Sequence, residues 1–410
     1  SSDVCSSDLR SLEPQDHVYA PEVERLHKEG KAFVEYVFNS NLKALDVQVN
    51  PQQVLPLTGL TRYGVDGDKR YSVLVASPRQ HMKILPSGNN LHPRMLHSTG
   101  AITLPDYQKN RLGRISTQDH VIGGLFVTLD KEKFHLTQVQ ADTDGSMVLY
   151  GKRHFPDGSF QDERAEAFVM GDLHAGFDCP KTMQAWYEVF QATQPKRVFL
   201  HDIMDGVSIS HHLEHKPIDR LNRPHELSTL EKELFVVGKR LADIKVKMPS
   251  DGELNIVASN HAPDHLVRYL DEGRYLTDPV NYALAHELMN LRIKGSKNIL
   301  KDAVDPDSEY VWLDRNRDYI VEGFNLSVHG DKAANGSRGS PEALEKTYGK
   351  GISGHTHTPQ IVHRWVVAGT STKLRLSYND GASSWLNASV VLYKGGLFQI
   401  VISMDGKWTR

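Results

Sequence analysis

Five stretches of this chain place metal-binding side chains directly after a run of apolar residues. In the first stretch, residues 168–176, an apolar run ends in Gly-Asp-x-His, and four comparable stretches follow before residue 360. Asp172 and His174 are two residues apart, so in an extended chain both side chains point the same way and can reach one metal ion. Each stretch alone could be an ordinary structural turn. Five in succession predict a metal centre built where strands end.

The five stretches combine carboxylate, amide and imidazole groups and contain no thiol. They are Gly-Asp-Leu-His at 171–174, His-Asp-Ile-Met-Asp at 201–205, Ser-Asn-His-Ala-Pro-Asp at 259–264, Val-His-Gly-Asp at 328–331 and Gly-His-Thr-His at 354–357. Oxygen and imidazole ligands without a thiolate suit manganese, iron or zinc. The chain also carries 21 histidines, several of which follow apolar runs.

Strand-like and helical patterns alternate around these stretches, which predicts a layered α/β core with its ligands at the carboxyl ends of strands. The predicted strands cover 196–200, 253–258, 325–328 and 351–353, and the predicted helices cover 182–193 and 229–246. After residue 365 the pattern returns to β-type runs, at 365–367, 373–378, 388–393 and 397–403.

The chain before these stretches divides into three segments of different character. Residues 1–10 have the composition of a sequencing-adaptor scar, and residues 11–50 carry a helical pattern typical of a remnant of a truncated N-terminal element. Residues 51–163 hold short β-prone runs separated by Asp-Gly turns. We therefore expect a smaller β-rich (α+β) accessory domain at 51–163 ahead of a catalytic domain at 164–410.

Composition excludes several classes of protein. The formal net charge is −3, so any surface that binds nucleic acid must be local. Two cysteines cannot form a disulfide framework, which fits a reducing, cytoplasmic compartment. No apolar run approaches the length of a membrane helix, so no membrane association is expected.

The order of the motifs resembles the calcineurin-like metallophosphoesterase superfamily over residues 165–359. That resemblance implies a four-layer fold, a β-sandwich flanked by helices, which holds two divalent metal ions. Manganese is favoured, with iron, zinc and magnesium as alternatives. The resemblance assigns one metal to Asp172, His174, Asp202 and His357. It assigns the other to Asp202, Asn260, His329 and His355, with Asp202 bridging. It also makes His261 the catalytic residue beside the scissile phosphate, and Asp205 the residue that orients His261.

In this superfamily the two metals activate a shared water that attacks phosphorus, and the histidine assists the leaving group. The chain departs from the usual motifs at three positions. His201 and Ser259 replace glycines that normally precede the second and third motifs. Gly206 stands where phosphoprotein phosphatases carry a phosphate-binding arginine, which argues against a protein phosphatase.

Finer features resemble the DNA-nuclease branch of the superfamily. Asn-His-Ala-Pro-Asp at 260–264 and Gly-His-Thr-His-Thr-Pro at 354–359 resemble SbcD-type exonucleases, and the whole chain resembles early DNA-degrading nucleases of large tailed phages. DNA is therefore the expected substrate, in the host cytoplasm if the chain is phage-encoded, and a homo-oligomer is an option. Basic clusters at 232–247 and 292–301 are either DNA contacts or solvated faces. The alternative functions are a small-molecule or cyclic-nucleotide phosphodiesterase or phosphatase, and a catalytically silent binding protein.

Overall fold

The computed structural model of the protein describes residues 29, 35–39, 41–45, 71–88, 93–130, 133–213, 216–376 and 379–408. Its strands are β1 (Glu35–Asn39), β2 (Leu42–Leu45), β3 (Ser72–Val75), β4 (His81–Leu85), β5 (Arg94–Ser98), β6 (Gly123–Asp130), β7 (Lys133–Gln140), β8 (Met147–Leu149), β9 (Lys152–His154), β10 (Phe160–Asp162), β11 (Ala167–Val169), β12 (Arg197–Leu200), β13 (Glu253–Val257), β14 (Val311–Leu313), β15 (Ile320–Val321), β16 (Phe324–Asn325), β17 (Gly351–Ser353), β18 (Gln360–Val362), β19 (Trp365–Val367), β20 (Ala388–Leu392) and β21 (Phe398–Ile402). Its helices are α1 (Arg111–Asp119), α2 (Pro180–Thr193), α3 (Pro217–Asn222), α4 (Leu230–Lys247), α5 (Asp264–Asp271), α6 (Tyr282–Ile293), α7 (Ile299–Val304) and α8 (Pro341–Tyr348). The predicted mixed α/β fold is confirmed.

A six-stranded sheet carries the first three motifs. Its strand order is β14-β13-β12-β11-β20-β21, and the first four strands run parallel to one another. Helices connect these strands, as parallel pairing requires, with α2 between β11 and β12 and α4 between β12 and β13. The carboxyl ends of β11, β12 and β13 therefore meet at one edge of the sheet.

Helices cover one face of this sheet. Successive strand residues point to opposite faces, so every second residue of a strand can pack against these helices. Phe168, Val198 and Ile256 face the helices, where they join a buried cluster with Trp186 of α2 and Leu241 of α4. Fully burying a large apolar side chain contributes about 1.5–3 kcal/mol, so this face anchors the helices strongly.

The other face of the six-stranded sheet packs on a ten-stranded sheet, whose order is β1-β2-β3-β5-β4-β18-β19-β17-β16-β15. Val169 and Phe199 from the first sheet share a buried cluster with Met95 and Ile352 from the second. On the far side of the larger sheet, Leu344 of α8 packs with Trp365 and Val367 of β19.

The N-terminal predictions need two corrections. The helical remnant predicted over 11–50 is wrong at 35–39 and 42–45, where β1 and β2 form an antiparallel pair. Most other residues of 11–50, and all residues of the predicted adaptor scar at 1–10, lie outside the described residues. Residues 51–163 are β-rich as expected, but their strands β3, β4 and β5 belong to the ten-stranded sheet, whereas β6 and β7 form a two-stranded sheet and β8, β9 and β10 a three-stranded sheet. The larger sheet therefore crosses the predicted boundary at residue 163.

Two of the helices predicted after residue 164 agree with the structure, and two of the predicted strands differ from it. Helices predicted at 182–193 and 229–246 are confirmed as α2 and α4. The strand predicted at 325–328 ends at Asn325, and the described residues 373–376 of the predicted strand 373–378 contain no strand. Within the described part of the chain, no helix combines the length and apolarity needed to cross a bilayer.

Candidate metal centre

The metal-binding motifs converge because strands of both sheets end beside one another. Asp172 follows β11 and Asp202 follows β12, and the pairing of the two strands continues into the loops, where the His174 amide donates to the Asp202 carbonyl at 2.7 Å. The motif at 328–331 follows β16 and the motif at 354–357 follows β17, which pairs parallel with β16 in the other sheet.

One group of donor atoms comes from Asp172, His174, Asp202 and His357. All four side chains are buried, and one ligand atom from each lies within 4.8 Å of the others. The Nε2 atoms of His174 and His357 are 3.1 Å apart, and the Nε2 of His357 is 3.1 Å from Asp172 Oδ2. This is the set that the resemblance assigns to one metal.

A second group shares Asp202 with the first. Asp202, His329 and His355 also offer ligand atoms within 4.8 Å of one another, and His329 Nε2 lies 3.2 Å from Asp202 Oδ2. Asn260 follows β13 at the same sheet edge. The structure thus brings six of the seven predicted ligands into two groups that share Asp202, and the seventh, Asn260, precedes His261, whose ring centroid lies 4.8 Å from that of His174.

Unsatisfied oxygens in the centre fit a divalent cation. Asp172 Oδ1, Asp202 Oδ1 and Asn260 Oδ1 are buried and have no hydrogen-bond partner among the described residues. A buried polar atom without a partner is costly, and two buried carboxylates more so, unless a cation or donor lies between them. The donor set and these three oxygens together could hold metal ions.

Carboxylates and imidazoles in the centre shift one another's pKa values. Burial alone would raise the pKa of Asp172 and Asp202, but nearby imidazoles, His357 beside Asp172 and His329 beside Asp202, lower both. Burial disfavours a charged His174, yet the carboxylates of Asp205, Asp202 and Asp172 outweigh burial and raise its pKa to about 9. The carboxylates thus favour positive charge at a position where a metal cation can replace the proton.

Four of the eleven described non-glycine residues with positive φ are predicted ligands. His174, Asp202, His355 and His357 have φ values of 41°, 43°, 77° and 57°, all in the left-handed region that residues with a Cβ rarely adopt. Such conformations cost about 1–3 kcal/mol each and persist only where surrounding contacts impose them. One such contact is the His355 amide, which donates to Asp172 Oδ2 at 2.7 Å. Contacts between the motifs therefore hold these four residues in conformations that they would rarely adopt alone.

Gly354 leaves the space that Asp172 occupies. A Cβ at position 354 would lie 2.1 Å from Asp172 Oδ1 and 3.1 Å from His201 Cβ. We expect Gly354→Ala to displace the Asp172 carboxylate and to weaken manganese binding about 10–100-fold, as displaced metal-supporting contacts typically do. Isothermal titration calorimetry of the metal-free protein with Mn²⁺ measures the effect.

Gly124→Ala is the matched control for this substitution. A Cβ there would meet nothing within 4 Å, so its metal affinity should equal that of the wild type. Equal affinities for Gly354→Ala and Gly124→Ala would show that Asp172 does not need the space beside Gly354.

The carboxylate of Asp205, the residue that the resemblance pairs with His261, contacts His174. Its Oδ2 lies 3.0 Å from Nδ1 of His174, so the carboxylate supports a ligand. The main-chain carbonyl of Asp205 instead lies 2.7 Å from Nδ1 of His261. The pairing of residues 205 and 261 is therefore present, but the backbone makes it.

The two other motif departures are accommodated locally. Ser259 closes a tight turn: its hydroxyl accepts from the Ala262 amide at 2.8 Å, and its own amide donates to the Ala262 carbonyl at 2.7 Å. Gly206 has φ +82°, and a Cβ there would lie 2.9 Å from His265 Nδ1. A residue with a side chain at that position would therefore be strained.

Sequence reasoning noticed His201 but gave it no role. The ring is fully buried and stacks on the ligand His329 with centroids 5.5 Å apart. Burial, reinforced by the neighbouring His329, lowers the pKa of His201 to about 4, so the ring is neutral. A histidine in a glycine position beside a ligand was the available signal.

Glu233 was missed altogether. It is fully buried on α4, and its carboxylate accepts from the amides of Gly206 at 2.7 Å and Ser208 at 2.9 Å. These bonds hold the loop whose Asp205 carbonyl contacts His261. The signal was an acidic residue within the apolar stripe Leu230, Leu234, Val237, Leu241 and Ile244.

Glu233 also makes stability depend on pH. Burial, together with the charge of Asp205, raises the pKa of Glu233 from 4.5 to about 7. Between these values the folded protein holds a proton that the unfolded chain lacks, so this residue's contribution to the free energy of unfolding falls as pH rises. We expect Glu233→Gln to remove that fall, which urea unfolding in EDTA at pH 5 and pH 8 measures. An unchanged wild-type-minus-variant difference at the two pH values would contradict this account.

A cavity of about 360 Å³ opens onto the centre. Its wall contains predicted ligands, His261 and residues to which the resemblance assigns no role. The wall residues are His174, Asp202, His261, Arg338, Gly339, His355, Thr356, His357 and Trp385. His261 is thus on the cavity wall beside the ligands, where a bound substrate would meet it.

Comparison with known proteins gives one relative. A scan against models of protein families finds no match. The chain is 26% identical, over 418 aligned residues, to Protein A1 of Escherichia phage T5, and the alignment covers 92% of this chain and 72% of that protein. The chain is therefore similar, over most of its length, to a phage protein, and it carries a buried Asp/His cluster that could hold metal.

Proposed function

We propose that this chain is a metal-dependent phosphodiesterase of the calcineurin-like metallophosphoesterase type, with DNA as its substrate. The observation that carries the proposal is the pair of ligand groups that share Asp202 at the base of an open cavity. A carboxylate that both groups share would allow two metal ions to lie close together, as two-metal catalysis of phosphoester hydrolysis needs. The stacking of helices, two sheets and α8 is consistent with the four-layer fold of that superfamily.

The side chains divide the work of such a centre. Asp172, His174 and His357 would hold one divalent cation, and Asn260, His329 and His355 the other, with Asp202 between them. When bound, the cations would supply Lewis acidity that polarises a phosphoryl group and activates a nearby water. Oxygen and imidazole donors favour manganese, with iron, zinc and magnesium as alternatives.

His261 would deliver the proton that the leaving oxygen needs. Its Nδ1–H donates to the Asp205 carbonyl, which directs Nε2 away from that carbonyl and leaves it for the substrate. Glu233 fixes the Gly206 and Ser208 amides and so holds the carbonyl in place. General acid catalysis by a positioned histidine typically contributes 10²–10⁴-fold.

DNA is favoured over a small diester by the nuclease-like motifs and by the similarity to a phage protein. A phage origin would place the reaction in the host cytoplasm. The two predicted basic clusters support DNA less than expected: Arg240 is paired with Asp178 at 2.7 Å and Arg292 with Asp271 at 2.7 Å. Both arginines are already engaged by carboxylates, so a phosphate contact from these clusters would rest on their lysines.

A hydrolysis assay in Mn²⁺, Mg²⁺ and EDTA tests the proposal. The substrates are linear duplex DNA, single-stranded DNA, bis-p-nitrophenyl phosphate and a cyclic dinucleotide. Manganese-dependent loss of DNA is the expected result. Turnover of the small diesters alone would replace the nuclease with a nucleotide phosphodiesterase, and no turnover by the metal-loaded protein would leave a binding protein.

A further inference from the structure

Two residues of the cavity wall are neither ligands nor neighbours of His261 in the motifs. Trp385 and Arg338 line the same cavity as His174, Asp202 and His357. Trp385 offers an aromatic surface and Arg338 a permanent positive charge. The pair places an apolar ring and a cation beside the centre that would act on a phosphodiester.

Trp385 is held firmly against the metal centre. Its ring makes a T-shaped contact with the ligand His357, with centroids 4.1 Å apart and an interplanar angle of 68°. The next residue, Leu386, donates its amide to the His357 carbonyl at 3.1 Å, and the Ser384 and Thr358 hydroxyls are 2.8 Å apart. The ring is half-buried, so one part packs and the other is open to the cavity.

Arg338 differs from the arginines nearby. Arg315 is neutralised by Asp331 at 2.8 Å and Asp264 at 3.1 Å. The Arg338 side chain is exposed at the cavity and, among the residues that the structure describes, forms neither an ion pair nor a hydrogen bond. Its charge is therefore available to an anion in the cavity.

The loop that carries Arg338 is docked on a ligand loop. Arg338 forms a backbone bridge with Lys332, and the Gly339 amide donates to the Asp331 carbonyl at 3.0 Å. A Cβ at Gly339 would lie 1.8 Å from the Gly330 carbonyl oxygen, so only glycine permits this approach. Because Arg338 directly precedes Gly339, this contact fixes the position of the Arg338 main chain relative to His329.

We propose that Trp385 and Arg338 bind one unpaired nucleotide next to the scissile phosphate, with its base stacked on Trp385 and a flanking phosphate bound by Arg338. The inference rests on the proposed function and names its substrate class: a single-stranded polynucleotide or a frayed end. A base inside a duplex has both faces covered by its neighbours, whereas an unpaired base can stack on an aromatic side chain. Arginine pairs with phosphate through two parallel hydrogen bonds.

Abasic scanning tests the contact with Trp385. The manganese-loaded wild type, Trp385→Ala and Trp385→Phe receive a single-stranded oligonucleotide and a series in which one abasic residue moves along it. In the wild type, one abasic position should lower kcat/KM roughly 10–100-fold, the range of a lost base–aromatic stack. For Trp385→Ala, kcat/KM on the intact strand should already be lower by that factor, and an abasic residue at the sensitive position should cause no further loss. Trp385→Phe should behave like the wild type on both strands.

Arg338→Ala should raise KM without position dependence and reduce the salt dependence of binding, because it removes a phosphate contact. Arg338→Lys should restore part of the affinity. An unchanged salt dependence in Arg338→Ala would remove Arg338 from the proposal.

Fluorescence anisotropy with the same labelled strands separates this inference from the proposed function. If the protein binds the strands with the same abasic effect but hydrolyses none, the proposed function fails and the nucleotide site stands. If it hydrolyses DNA with no abasic effect at any position, or if Trp385→Ala suffers the same further loss as the wild type, the nucleotide site is overturned. A manganese-induced rise in Tm equal to the wild type's shows that each variant is folded with its centre intact.

Discussion

Asp202→Asn is expected to abolish metal binding at both groups of ligands and to lower phosphodiester hydrolysis about 10³-fold or more. Asp202 is the one side chain that both groups share, so its loss affects every ligand atom around it. A bound metal contributes several kcal/mol to the transition state, and each ~1.4 kcal/mol is a factor of ten in rate. Metal content after manganese loading and the rate on bis-p-nitrophenyl phosphate measure the two effects.

Asp305→Asn provides the control for removing a buried aspartate. Asp305 is equally buried, but its oxygens accept from the Trp312 indole at 2.8 Å and the Glu309 amide at 2.8 Å. This variant should lose stability, since an amide cannot accept all of these bonds, yet keep its metal and its rate. Undiminished metal content in Asp202→Asn would refute the shared-ligand assignment.

His261→Ala should keep its metal and lose about 10²–10⁴-fold in kcat, the usual contribution of a general acid or base. The side chain is half-buried on the cavity wall, and its Nδ1 is engaged by the Asp205 carbonyl. Metal content and single-turnover kinetics, measured on the same preparation, separate binding from chemistry.

His265→Ala is the matched control, because its ring lies 4.5 Å from that of His261 and, unlike His261, is not part of the cavity wall. Burial lowers the pKa of His265 to about 4, so its removal takes away no charge. Its rate should stay close to that of the wild type. His174, Asp205 and His261 also lie close enough to hold a cation, so a joint fall of metal and rate in His261→Ala would make His261 a ligand.

The residues that meet at the candidate metal centre were predictable because local sequence indicates where strands end. A short apolar run followed by Asp or His predicts a strand end, and parallel strands bring their ends to one edge. The left-handed φ values of His174 and Asp202 were not predictable, because contacts from distant motifs impose them. The same holds for the contact of the Asp205 carboxylate with His174, which lies at the end of another strand.

The extent of the larger sheet was also beyond local reasoning. β4 pairs with β18 through Met82 and Ile361, residues far apart in sequence. Short β-prone runs indicate strands but not their partners, so the runs before residue 163 read as a domain of their own. Residues 42–45 have apolar residues at helical spacing, but they form a strand because they pair with β3, and such a distant partner cannot be recognised from local sequence.

The pairing of β4 with β18 has a consequence for how this protein can evolve. β18 begins three residues after the ligand His357, and β4 covers the edge that β18 would otherwise expose. A fragment that begins at residue 164 would expose the unpaired edge of β18 to other chains, which favours aggregation. The early strands are therefore not an exchangeable module: without β4, the strand that follows the His357 loop loses its hydrogen-bonded neighbour.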